Sequence, residues 1–187
     1  MKFETVIIGG GRAGCTLGKL LLQGGRSCII VSEGLSPESA DARREYLSLG
    51  GLMLPGDSVI EGTREGARVK SVRTRNLGST PLEADFFVLA TGKFFSRGLI
   101  ATMDSIYEPV FGCDVLYDPD RSKWCDPDFY APQPFESFGV KCSEDLRCYI
   151  GGELQQNLYA AGEILEGSRD ITLTAQKIAE EICRRKI

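Results

Sequence analysis

Histidine is absent from all 187 residues, which excludes the commonest general base and a common metal ligand together. Carboxylates, lysine, tyrosine or a bound cofactor must carry any chemistry. Cysteine occurs seven times, at positions 15, 28, 113, 125, 142, 148 and 183, an odd count that contains no C-x-x-C pair. Neither a disulfide framework nor a zinc ribbon is expected from that pattern, and no metal site is assigned. Long apolar runs are missing as well, none reaching the length of a membrane span. A basic excess is also lacking, since 22 Lys and Arg stand against 26 Asp and Glu, for a net charge of -4. That balance offers no global field to nucleic acid or to an anionic membrane surface and points to small-molecule or protein partners. The chain opens on a strand-like run instead of a signal peptide, which predicts a cytoplasmic location. Its length fits a single domain spanning residues 1–187.

What is present is concentrated first in residues 3–14, FETVIIGGGRAG. A short apolar run, Val6-Ile7-Ile8, enters G-x-G-x-x-G and then a helix, the arrangement that binds dinucleotides. In that arrangement Gly9 permits a tight turn, Gly11 lets backbone approach a pyrophosphate, and Gly14 allows the helix to pack closely on the strand. Arg12 and Ala13 lie between them, where helix-start N–H groups face the phosphates. Leu17, Leu20 and Leu21 give the helix an apolar face, Gly24-Gly25 stops it, and Cys28-Ile29-Ile30-Val31 predicts a second parallel strand. Cys15 and Cys28 fall inside these elements and read as small buried apolar groups. The fold class is α/β with a parallel sheet.

Beyond residue 34, Ser36-Pro37-Glu38 marks a helix start and Gly50-Gly51 its end. From Leu52 to Leu82, strand-like stretches alternate with Gly56-Asp57, Arg64-Glu65-Gly66 and Asn76-Leu77-Gly78, predicting an inserted β-meander over about 52–84. Arg64, Arg68, Lys70, Arg73 and Arg75 make it locally basic, either as a solvated face or as a stripe for an acidic partner subunit. Phe86-Phe87-Val88-Leu89-Ala90 is a buried strand that breaks at Thr91-Gly92. Strand ends line the ligand crevice in such sheets, so Thr91, Gly92 and Lys93 should lie beside the nucleotide held by Gly9 to Gly14. A further strand, Asn157-Leu158-Tyr159-Ala160-Ala161, ends at Gly162-Glu163, where Glu163 could accept a ribityl or ribose hydroxyl. The closing helix has Asp170 as N-cap, Thr172 in its first turn, Ile171, Ala175, Ile178, Ala179 and Ile182 at helical spacing, and Arg184, Arg185 and Lys186 at its negative end. Its start could stabilise an electron-rich ring.

In order, these landmarks resemble the Rossmann-like FAD/NAD(P)-binding half of two-domain FAD-dependent oxidoreductases. Four stretches narrow the likeness: Met53 to Asp57, Leu89 to Ser96, Glu108 to Leu116 and Tyr130 to Phe135 are similar to the B-subunit family of anaerobic glycerol-3-phosphate dehydrogenase. The resemblance implies an FMN- or FAD-linked subunit working with a second flavoprotein subunit and an iron–sulfur membrane-anchor subunit, peripheral to the inner membrane through those partners. Such a complex oxidises glycerol 3-phosphate to dihydroxyacetone phosphate and sends electrons to quinones. It also makes the fingerprint glycines, Gly92 and Gly162-Glu163 cofactor contacts, with Lys93 as the cation for a flavin phosphate or the N1–O2 edge of the ring.

Three departures qualify what is implied. Only the stretch from Gly34 to about Ala42 stands where the family has a large substrate-side domain, and Glu166-Gly167-Ser168-Arg169-Asp170 replaces a glycine-rich run before the closing helix. The acidic ribose anchor should be the first residue past the second strand's apolar run, which is Ser32, whereas Glu33 comes one place later. Alternation along a strand turns Glu33 away from the ribose, which favours FMN, loosely held FAD or an empty site. Three functions stay open: a redox subunit or domain of a glycerol-3-phosphate dehydrogenase-like complex, a non-catalytic interaction subunit that has lost its cofactor, and a small stand-alone flavin reductase. No catalytic residue is assigned.

Overall fold

In the computed structural model, which describes residues 2–167 and 169–185, the elements run β1 (Lys2–Ile8), α1 (Arg12–Gln23), β2 (Cys28–Ser32), α2 (Ala40–Ser48), β3 (Leu52–Pro55), β4 (Val59–Glu65), β5 (Arg68–Thr74), β6 (Leu82–Leu89), β7 (Ile100–Ala101), β8 (Ile106–Tyr107), β9 (Val115–Leu116), β10 (Gly139–Val140), β11 (Arg147–Ile150), β12 (Glu153–Ala160) and α3 (Ile171–Arg184). Strands β12, β6, β1, β2 and β3 lie parallel in that order, with β11 antiparallel at the β12 edge. Parallel strands covered on both faces need unbroken apolar runs, which Val6 to Ile8, Ile29 to Val31 and Phe86 to Leu89 supply.

Register sorts these residues onto two faces. Ile7 lies opposite Ile30 and Val88, and Val88 opposite Tyr159; one step away, Val6 lies opposite Ile29 and Phe87, and Phe87 opposite Leu158. The period of two puts the rows on opposite sides of the sheet. On the first side, Gly14 and Gly18 of α1 sit directly over Ile7 and Ile30. On the second, the Phe111 ring stands edge-on to Phe87 at 6.5 Å and fills the space above Gly62 of β4. Phe111 is placed by Glu108, whose buried carboxylate accepts from the N–H groups of Val110 (2.7 Å), Phe111 (2.8 Å) and Cys113 (3.3 Å). Burial pushes the Glu108 pKa up against the pull of those donors. Much of the family-like stretch from Glu108 to Leu116 is therefore explained by packing.

The meander begins later than its glycine punctuation predicts. Leu52–Pro55 forms β3, paired parallel to β2, and the antiparallel ribbon starts only at Val59, with β4 on β5 and β5 on the first residues of β6. Tyr46 is the reason. Its ring, the one buried side chain of α2, stands against Gly18 and Gly51, and its hydroxyl donates to the Leu52 carbonyl at 2.7 Å with the Cys28 carbonyl at 3.2 Å. The phenol thus clamps β3 beside β2, and desolvation drives its pKa well up. Along the ribbon, Lys70, Arg73 and Arg75 pair with Glu65, Glu61 and Glu33 on the exposed surface, as a solvated face would.

Helix α3 runs against α1 and starts as expected, with Asp170 Oδ1 accepting from the Leu173 N–H at 2.9 Å. Ala175, Ile178, Ala179 and Ile182 are buried along one face; Arg185 lies over the Tyr159 ring, and Lys186 falls outside the described residues, as does Ser168. Among the described residues no helix is long and apolar enough to cross a membrane.

One fully buried side chain joins the ribbon to the parallel sheet. Asn157 of β12 accepts from the Val69 N–H and donates to the carbonyls of Val69 and Asp85, each at 2.9 Å. Asn157→Ala strands two buried backbone groups of Val69 and the half-buried Asp85 carbonyl, so urea unfolding should show a loss of about 2–4 kcal/mol. A change within the roughly 0.5 kcal/mol typical of surface substitutions would contradict this role.

Candidate functional site

Strand β1 delivers the chain to Gly9 at the carboxyl edge of the sheet, and α1 opens three residues later. Space demands glycine at two fingerprint positions: Gly9 has φ +113° and a Cβ there would enter the Ala90 carbonyl, while a Cβ on Gly14 would enter the Gly9 carbonyl. Gly11 differs. Its φ of -71° suits any residue, and none of the described residues lies within 4 Å of where its Cβ would stand. The protein alone gives no reason for glycine there, whereas a ligand brought against the backbone does. Cys15 donates the first bond of α1, to the Gly11 carbonyl at 3.0 Å, so the N–H groups of Arg12, Ala13 and Gly14 precede the ladder at the helix's positive end.

Three further strand ends meet this turn. Backbone pairing continues past the strands themselves, through Gly9 N–H to Val31, Ala90 N–H to Ile8 and Ala161 N–H to Leu89, at 2.7 to 2.8 Å. Gly162, with φ +75°, then packs its Cα against the Ala13 methyl group. Its N–H donates to Thr174 Oγ1 at 3.1 Å. Of the two α3 hydroxyls, Thr174 is thus the one that meets the strand end; Thr172 is exposed in the first turn, on another side of the helix. Two positions along a helix turn a side chain far round, and the helical spacing of Ile171, Ala175, Ile178 and Ile182 already puts Thr174, not Thr172, on the buried face.

At the end of β6, Thr91 has a buried hydroxyl without a hydrogen-bond partner among the described residues. Gly92 (φ +71°) begins a loop that folds back so that the Gly98 N–H reaches the Lys93 carbonyl at 2.9 Å. The Lys93 ammonium donates to the Glu136 carbonyl, on a 3-10 turn (Pro134–Ser137) that also brings Phe135 edge-on to Phe94 at 6.0 Å. Burial lowers the Lys93 pKa, while the carboxylates of Glu163 and Glu136 oppose that shift. Lys93 is therefore a half-buried cation beside the end of β6, held by a turn of which the family-like stretch Tyr130 to Phe135 includes only Pro134 and Phe135.

The end of β2 follows the alternation read from the sequence. Ser32 is buried on the fingerprint side, accepting from the Gly10 N–H at 3.2 Å and donating to the Gly34 carbonyl at 2.6 Å. Glu33 is exposed and lies 3.8 Å from Arg75 and 3.9 Å from Arg97. The structure so gathers Gly9 to Gly14, Ser32, Thr91 and Gly162 around one edge, with Lys93 and Glu163 on its far rim; Glu33 and Thr172 point elsewhere. An open cradle at Gly11 and an unmet hydroxyl at Thr91 fit a phosphate-bearing ligand with polar edges, and so fit a flavin nucleotide.

Comparison with known proteins agrees. Residues 38–172, well over half of the chain, match the FAD binding domain model. The chain is 43% identical over 125 residues to the B subunit of the anaerobic glycerol-3-phosphate dehydrogenase of Yersinia pestis bv. Antiqua, an alignment covering 67% of this chain and 30% of that protein. The protein of the same name from Actinobacillus succinogenes is 41% identical over 157 residues, covering 76% and 36%. The chain thus spans about a third of the length of these relatives. Among solved structures, an oxidoreductase from Agrobacterium tumefaciens superposes with a TM-score of 0.62 at 11% identity, covering 98% of both chains. A thioredoxin reductase from Gloeobacter violaceus gives 0.60 at 11%, covering 98% and 94%. Both show the shared fold, a Rossmann-like α/β domain. With the family model matched over residues 38–172, the chain belongs to the FAD binding domain family.

Proposed function

We propose that residues 1–187 form a single flavin-binding redox domain of a glycerol-3-phosphate dehydrogenase. It relays electrons released when glycerol 3-phosphate becomes dihydroxyacetone phosphate. The 41–43% identity to the matching chains of that dehydrogenase carries this reading. Its partners would be a second flavoprotein subunit and an iron–sulfur membrane-anchor subunit, placing the domain at the inner membrane through them. Phe129 and Tyr130, stacked edge to face at 5.7 Å and almost fully exposed, are apolar surface of the kind a partner covers.

A bound flavin supplies the two-electron acceptor. Around it, Gly11 and the α1 N–H groups would hold phosphate oxygens, Thr91 would donate its free hydroxyl, and Glu163 would accept from a ribityl or ribose hydroxyl. Lys93 would add positive charge where reduction adds electrons. No carboxylate meets an adenosine ribose, because Ser32 fills that position and is already bonded on both sides. This supports FMN or loosely held FAD. The same observation favours the second reading, a non-catalytic interaction subunit with little grip on any cofactor.

Oxidising an alcohol also needs a base for its proton and cations for its phosphate. This chain has no histidine, and only a 3-10 turn (Pro37–Ser39) and the start of α2 occupy the place of the family's substrate-side domain. The purified chain with added flavin should fail to turn over glycerol 3-phosphate with an artificial acceptor; turnover at about 1 per second or faster would contradict the relay role. Lys93→Met should make the midpoint potential of bound flavin more negative by roughly 20–40 mV, the equivalent of about 1–2 kcal/mol for a two-electron couple. An unchanged potential in a dye-coupled titration would place Lys93 away from the ring.

A further inference from the structure

Three of the seven cysteines, far from the fingerprint in sequence, come together where the chain before β11 folds on itself. The Asp114 N–H donates to the Tyr149 carbonyl and the Lys141 N–H to the Asp114 carbonyl, both at 2.8 Å, aligning three segments that each carry a cysteine. Cys142 and Cys148 face each other in an antiparallel bridge with their sulfurs 3.7 Å apart, and Cys113 lies near enough for its thiol to influence Cys148 electrostatically. Access separates the three: Cys148 and Cys113 are buried, and Cys142 alone is partly exposed. Residues directly opposite in an antiparallel pair have Cα atoms roughly 4.5–5.5 Å apart, inside the range a disulfide spans. Side-chain rotation can then close the sulfurs without moving the backbone.

We propose that Cys142 and Cys148 form a redox-active dithiol that closes to a cross-strand disulfide by exchange with a low-molecular-weight disulfide. Cys142, as thiolate, attacks one sulfur of the small disulfide, its S–S bond breaks, and the departing thiolate takes a proton from water. Cys148 then attacks the Cys142 sulfur of the mixed disulfide, expelling the second small thiolate, which receives the proton that Cys148 loses. Two protein thiols and one small disulfide become one protein disulfide and two small thiols, so the electron pair leaves the protein for the small molecule. Burial holds the Cys148 thiol protonated until that second step, which suits a resolving group more than an attacking one.

The bridge would staple a turn with a stake in the cofactor edge. Residues 143–147 are tied by Ser143 N–H to the Arg147 carbonyl at 2.9 Å and by Arg147 Nε to Asp145 at 2.7 Å, with Leu146 at φ +65° in the left-handed region. The Leu146 carbonyl accepts from the N–H of Ala160, the last residue of β12 before the chain reaches Gly162.

Exposure of the full chain to oxidised glutathione, alkylation with iodoacetamide and non-reducing peptide mapping by mass spectrometry tests the proposal. A Cys142–Cys148 cross-linked peptide, lighter by two hydrogens and lost on reduction, is expected in the wild type and in Cys113→Ala. Cys148→Ala should instead trap glutathione on Cys142 with no internal bridge. Exposed Cys125 reports on the strength of the treatment. A bridge that joins Cys113 to Cys148, or Cys142 and Cys148 both recovered alkylated when Cys125 is fully modified, would overturn it. The wild-type map decides even if a variant fails to fold.

Discussion

The whole arrangement depends on how closely the chain can pass itself at the carboxyl edge of the sheet. Gly9 leaves β1 against the Ala90 carbonyl, Gly14 seats α1 on the Gly9 carbonyl, and Gly162 brings the end of β12 onto Ala13. A single Cβ at any of these three points would push apart two backbones, and with them the helix start and the strand ends that flank it. Such contacts cannot relax by rotating a side chain. They are therefore the constraint from which the positions of Thr91, Lys93 and Glu163 follow.

Gly11 belongs to a different logic. It is the one fingerprint glycine whose absent side chain would touch none of the described residues, which is what a ligand brought against the backbone would call for. The rest of the edge is consistent with that: free helix N–H groups, a hydroxyl with no partner and a half-buried cation are costly to leave in an apolar setting and useful beside a phosphate and a polar ring. At the adenosine end the chemistry is thinner. Ser32 spends its hydroxyl on Gly10 and Gly34, and the carboxylate of Glu33 is drawn outward to Arg75 and Arg97.

Features set by local physics were legible in the sequence. The strand–turn–helix of residues 3–23, the buried run of Phe86 to Leu89, the Asp170 cap and the opposed directions of Ser32 and Glu33 all follow from periodicity, glycine spacing and capping, which act within a few residues. What escaped was set by contacts between distant segments. Leu52–Pro55 looks like the first strand of a meander until Tyr46 holds it beside β2; Asn157 looks like a strand residue until it takes three backbone partners from β5 and β6. The Glu136 carbonyl that holds Lys93 belongs to the same class. Pairing of Cys142 with Cys148 was hidden for another reason: spacing without a C-x-x-C pattern says nothing about which strands will face each other.

The claim that this edge is shaped by a flavin phosphate can be put to a substitution that the protein itself should tolerate. Gly11→Val adds a side chain in open space at an ordinary backbone angle, so the thermal midpoint should stay within about 2–4 °C, the shift that 1 kcal/mol produces in a chain of this size. Fluorescence titration with FAD should give saturable binding for the wild type and an affinity weaker by about tenfold or more, roughly 1.4 kcal/mol, for the variant. A folded Gly11→Val that binds FAD as tightly as the wild type would show that the open cradle is not where the cofactor lies.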